Sequence, residues 1–126
     1  MNFEESLVYE LSSISAINNK IYPLNAKEGT NPPFLVYVSS QGERTQTLTG
    51  YVDSLEISCD IHIIAESYQD LKSLADAVLT KLQSFFGRSI GLNGPYIKSF
   101  IYSEPIEGYS DELNYHRSAF DIRVRI

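Results

Sequence analysis

Apolar residues Phe3, Leu7, Leu11, Ile14 and Ile17 recur at steps of four and three along the first stretch of the chain. At about 100° per residue they share one stripe, so the spacing predicts an amphipathic helix over residues 2–18. Asn18-Asn19 would close it, because Asn tolerates the left-handed cap conformation. Beyond it, Ile21-Tyr22-Pro23 leads to a polar stretch that ends in Asn31-Pro32-Pro33. Adjacent prolines lack amide donors and fix φ, so they launch an extended segment instead of continuing a helix. Phe34-Leu35-Val36-Tyr37-Val38 is expected as a strand reaching about Gln41. Between Gly42 and Gly50 lie Glu43, Arg44, Thr45, Gln46, Thr47, Leu48 and Thr49, a polar run with few anchors, read as a long mobile hairpin loop.

Residues 52–64 carry the clearest period of two. Leu55, Ile57, Cys59, Ile61 and Ile63 alternate with Glu56, Ser58, Asp60 and His62, the signature of a strand packed on one side and wet on the other. The period then lengthens. Ser67 with Asp70 resembles a capping box, and Leu71, Leu74, Ala75, Val78, Leu82 and Phe85 line one face of a helix over about 68–86, with Gly87 as its C-terminal cap. Tyr96–Ser103 reads as a strand whose inner face is open between Ile97/Ile101 and Phe100/Tyr102. A last strand runs from about Leu113 to Ile126, and the acidic loop Glu104–Glu112 joins the two. The expected fold is α+β in the order α-β-β-α-β-β: a mainly antiparallel four-stranded sheet with two helices packed on one face, as a single domain over residues 1–126.

Composition removes several function classes. No apolar run approaches the ~18–20 residues of a membrane span, and the acidic start Met1-Asn2-Phe3-Glu4-Glu5 is unlike a signal peptide. One cysteine allows no internal disulfide, which fits a reducing compartment. Sixteen acidic against ten basic residues leave a net charge of −6, which argues against binding a phosphate backbone. Cys59 and His62 stand three apart on a strand and so point to opposite faces, leaving no nucleophile–base pair. Together with His116 they lack the short spacings of a metal site. Glu104, Glu107, Asp111 and Glu112 lack the spacing of a calcium loop, and no phosphate-binding glycine loop or nucleophile elbow is present. Catalytic residues, cofactors and metals are therefore expected to be absent. What remains is association. The chain holds nine tyrosines and six phenylalanines. Alternation places Glu56 and Asp60 on one outward strand face and Arg117, Arg123 and Arg125 on another, two charged surfaces suited to a subunit interface.

The order of these elements resembles the tail-completion, or head–tail joining, proteins of long-tailed bacteriophages, including the tail-terminator minor tail protein of lambda-type phages. The carriers are the N-terminal helix, Ile21-Tyr22-Pro23, Pro33-Phe34-Leu35-Val36-Tyr37, the polar loop, the strand 52–64, the Ser67-capped helix and the final strand pair. The resemblance spans nearly the whole chain and implies a structural virion subunit, not an enzyme. Such a subunit caps the tail tube as a hexameric ring, though it can be a monomer when free, and provides the surface to which the head docks. Its implied partners are copies of itself, the tail tube protein and a head-completion or connector protein, with no membrane and no direct nucleic acid. Its implied location is the host bacterial cytoplasm during assembly and then the virion tail. The competing readings are a small ligand-binding or enzymatic α+β domain and a nucleic-acid or regulatory module. A deep polar pocket converging on His62, His116 or the Glu104–Glu112 carboxylates would favour the first, and a contiguous basic face the second.

Overall fold

Ser12 and Ser13 decide where the first helix stops. Their hydroxyls donate to the carbonyls of Val8 (2.6 Å) and Glu10 (2.8 Å) and compete with the next helical turn. The computed structural model, which describes residues 2–24, 26, 30–40, 42–47, 50–110 and 114–126, thus has a shorter helix than the 2–18 expected. Helix α1 spans Phe3–Leu11, and a 3-10 turn over Ser15–Ile17 brings Ile17 back into the core. Asn2 caps α1 by a reciprocal pair of bonds with Glu5. Asn19 adopts the left-handed conformation, but after the 3-10 turn and not at the helix end.

The four-stranded, mainly antiparallel sheet and the order α-β-β-α-β-β are overturned. The sheet has seven strands and is mixed: β1 (Ile21–Pro23), β2 (Phe34–Ser39), β3 (Glu43–Thr47), β4 (Gly50–Ala65), β5 (Ser99–Tyr102), β6 (Ile106–Ser110) and β7 (Tyr115–Arg125). Helix α2, Tyr68–Gln83, separates β4 from β5. The main path is β1-β2-β4-β7-β5, with β3 on β4 and β6 on β7. Three strands escaped the sequence reading, each for a physical reason. β1 has three residues, too few to alternate, and pairs parallel to β2. β3 is polar on both sides, so the loop expected over Glu43–Thr47 is instead a strand paired antiparallel to β4; Leu48 and Thr49 lie outside the described residues. β6 occupies the middle of the expected acidic loop Glu104–Glu112 and pairs with β7 from Ile106↔Ala119 to Ser110↔Tyr115.

β5 and β6 lie end to end along one side of β7. Tyr102 pairs with Ile122 and Ile106 with Ala119, so three residues on one strand span two on the other. This bulge at Ser103-Glu104-Pro105 switches the phase of alternation. Phe100 and Tyr102 share the inner face with Val124 and Ile122, while Ile101, opposite Arg123, faces outward. Beyond the bulge the odd residues Glu107 and Tyr109 point to the helix side.

The core lies between the helices and one sheet face. Ile57, Cys59, Ile61, Ile63 and Ala65 of β4 line up with Leu35 and Tyr37 of β2 and with Phe120, Ile122 and Val124 of β7. Leu7 and Leu11 of α1 and Leu71, Val78 and Leu82 of α2 close over them. The Ser67 hydroxyl accepts from the Asp70 amide (3.1 Å) and starts α2. One nearly buried carboxylate ties the helices together. Glu10 accepts from Arg88 Nη1 at 2.7 Å and from the Gly91 amide at 3.1 Å, with Lys81 Nζ at 3.4 Å. The Arg88 hydrogen bond, partly opposed by burial, lowers its pKa from 4.5 to about 2.

Candidate assembly surface

The face of the sheet opposite the helices carries the charged residues singled out above, and it carries all five of them together. Even-numbered β4 residues and odd-numbered β7 residues point outward in register: Glu56 opposite Arg125, Ser58 opposite Arg123, Asp60 opposite Asp121, His62 opposite Ala119 and Ile64 opposite Arg117. The acidic and basic groups are therefore not two separate surfaces. They interleave on adjacent strands of one face, and Arg125 Nη2 already meets Glu56 Oε2 at 3.5 Å within the same subunit. Alternation assigned the outward side chains, but the pairing of β4 with β7 lies outside what alternation can read. Arg117 and Arg123 are exposed and make no ion pair among the described residues. Asp60 and Asp121 stand directly opposite each other, an arrangement that costs stability in an isolated sheet.

The remaining candidates do not converge. Cys59 faces the core at 1% exposure, and burial pushes its thiol up to about 12, so it carries no thiolate at neutral pH. His62 faces outward, opposite Ala119, whereas His116 pairs with Ala65 on the helix side. There His116 lies between Tyr109 (ring centroids 4.8 Å apart) and Tyr68 (6.2 Å). Glu107 is paired with Lys72 of α2, which lowers the Glu107 pKa and raises that of the lysine. Asp111 and Glu112 lie outside the described residues. No group of three or more His, Cys, Asp or Glu side chains is placed to hold a metal among the described residues. A cleft of about 490 Å³ between the start of α1, Leu55, Ile57 and residues 93–95 has Glu4 as its only ionisable side chain among the described residues. A second, of about 400 Å³, lies between the 3-10 turn, Pro32-Pro33 and α2, with Glu66 and Asp70 among its lining residues. Neither receives His62 or His116.

Sequence reasoning missed a second feature, the β5–β6 edge. Ile101 is 63% exposed and Ile106 75%, and Tyr102 and Tyr109 are exposed beside them. The signal was Pro105 between two short β-prone runs, which marks a bulge or an edge and not only a loop.

No family model matches the chain, and no curated protein aligns with it. Solved structures share its fold. A chain of the virion of a native gene transfer agent particle superposes with a TM-score of 0.65 at 13% identity, covering 94% of this chain and 90% of that one. The gp17 protein of bacteriophage SPP1 gives a TM-score of 0.53 at 14% identity over 98% of this chain and 87% of its own. A third structure gives 0.54 at 13% identity over 98% and 91%. Over nearly its whole length, then, this chain has the fold of proteins from bacteriophage and gene-transfer-agent particles, in line with the resemblance carried by the sequence.

Proposed function

We propose that this protein is a structural virion assembly subunit of a long-tailed phage or phage-like particle. It completes the tail as a member of a hexameric ring and offers the surface to which the head is joined. The observation that carries this reading is the match to a chain of the gene transfer agent virion, which covers at least nine-tenths of both chains. The site chemistry supports it. The buried thiol is un-ionised, the two histidines lie on opposite faces, and the exposed features are those of contact surfaces. In this reading the tail tube protein and a head-completion or connector protein are the partners, met in the host cytoplasm during assembly and retained in the virion tail. The outer sheet face bearing Glu56, Asp60, Arg117, Arg123 and Arg125 meets a neighbouring virion subunit. Arg117 and Arg123, which make no ion pair among the described residues, are placed to take a carboxylate from that neighbour.

Deleting the gene from the particle that encodes it tests the proposal. Electron micrographs should then show filled heads and separate tails, with joining restored when the protein is supplied. Intact, joined particles in the deletion strain would refute it.

A further inference from the structure

Besides the outer side of the three-residue β1, two strand edges of opposite character have no strand partner among the described residues. The first is the outer edge of β5–β6, whose strand partner among the described residues is β7 alone. Edge strands are commonly blunted by charge or proline. Here Pro105 and Glu104 interrupt the edge at one point, but Ile101, Tyr102, Ile106 and Tyr109 are exposed around them. Exposed apolar groups gathered along an open edge mark a contact site.

The second edge belongs to the β3–β4 arm. The β4–β7 register runs from Glu56↔Arg125 to Ala65↔His116, with Leu55 bonded to Ile126, and residues 50–54 of β4 form the rest of the strand, its β3-paired arm. β3 pairs with this arm, from Thr47↔Gly50 to Glu43↔Glu56, and its far side has no strand partner among the described residues. Its sequence, Glu43-Arg44-Thr45-Gln46-Thr47, is polar and rich in β-branched threonine, which favours strand geometry without requiring a core of its own.

The two edges cannot meet within one subunit. β3 lies on the side of β4 away from β7, and β5 lies on the far side of β7. Three inter-strand spacings of ~4.8 Å, about 14 Å, separate them. We propose that the β3–β4 arm of one copy adds as a strand to the β5–β6 edge of the next. Main-chain bonds supply the affinity, and the exposed Ile and Tyr side chains fix the position. The contact is heterologous, a different patch on each partner, which is the kind that closes into a ring. The inference rests on the ring reading above and names its interface.

Two preparations of the full chain test it, one carrying Gln46→Cys and the other Ile106→Cys, mixed under assembly conditions and treated with a bismaleimide. Native Cys59 stays silent because it is buried with its thiol up at about 12. A covalent heterodimer should form in the mixture and exceed any product from either preparation alone. In parallel, Ile101→Lys/Ile106→Lys should weaken self-association by roughly tenfold or more with an unchanged thermal melt, since both side chains are exposed. Sedimentation of the unmodified protein reads the ring separately. Rings without the 46–106 product, or with association unaffected by the double lysine variant, overturn the arm–edge contact and leave the ring intact. Strong linkage within the Ile106→Cys preparation alone would mean twofold edge pairing and would overturn it as well. Monomers alone, both free and on tails, overturn the ring and this contact together.

Discussion

Glu10→Gln removes the one charge that holds α1, the end of α2 and the 88–91 turn together, and its cost follows from the geometry. The carboxylate accepts from Arg88 and Gly91 and lies 3.4 Å from Lys81, with its side chain 11% exposed. A carboxyl held at about 2 in place of 4.5 corresponds to ~3 kcal/mol at neutral pH, at about 1.4 kcal/mol per pH unit. Arg88 and Lys81 remain 37% and 30% exposed, and solvent screening of these partners lowers the expectation to about 1.5–3 kcal/mol. The sign is fixed by the direction of the shift. Because the folded-state pKa is depressed, the stabilisation is complete above the ordinary value of 4.5 and is lost as pH falls through about 2. Urea unfolding of both proteins should show the full gap at pH 7 and less than about half of it at pH 3. A gap below ~0.5 kcal/mol at pH 7, or an equal gap at both pH values, would refute the assignment of this carboxylate as an ionised tether.

Gly94→Ala should destabilise by ~1–3 kcal/mol in thermal or urea unfolding, because a Cβ there would collide with the Ile90 carbonyl and the Ser6 hydroxyl. Ser118→Ala should be neutral or stabilise by up to ~1 kcal/mol in the same assay, since the buried Ser118 hydroxyl has no hydrogen-bond partner among the described residues. Cys59→Ala should cost about 1–2 kcal/mol as a small core cavity, and native Cys59 should react with a thiol reagent only at the rate of unfolding. Arg117→Glu/Arg123→Glu should leave the melting temperature within a few degrees of wild type yet abolish tail completion in a complementation assay.

The sequence announced elements wherever one face of an element meets the core. Alternation at Ile57, Cys59, Ile61 and Ile63, and the helical stripe from Leu71 to Phe85, both became buried surface. It was silent where burial does not set the pattern. β3 pairs through its backbone with no apolar face to announce it, β1 is too short to have a period, and a bulge at Ser103-Glu104-Pro105 shifts the phase between β5 and β6. The candidate surface divides in the same way. That Glu56, Asp60, Arg117, Arg123 and Arg125 point outward follows from local period. That they share one face follows from the long-range register of β4 on β7, a property of the assembled sheet and not of either strand.

This register changes the electrostatic argument for association. A chain of net charge −6 repels its own copies, and the repulsion falls with distance over about 8–10 Å at physiological salt. On the outer face of β4 and β7, however, Glu56, Asp60 and Asp121 are matched one for one by Arg117, Arg123 and Arg125. The face is neutral, so the excess negative charge lies elsewhere on the molecule. A neighbouring copy or another acidic protein therefore meets its smallest electrostatic barrier here. The intramolecular Glu56–Arg125 contact leaves Arg117 and Arg123 as the cations of this face without an ion pair among the described residues. Exposed pairs of this kind contribute only ~0–1 kcal/mol each. Electrostatics on this face can thus choose the approach and the orientation, but the affinity must come from apolar and main-chain contacts. The β5–β6 edge, adjoining the face along β7, presents both.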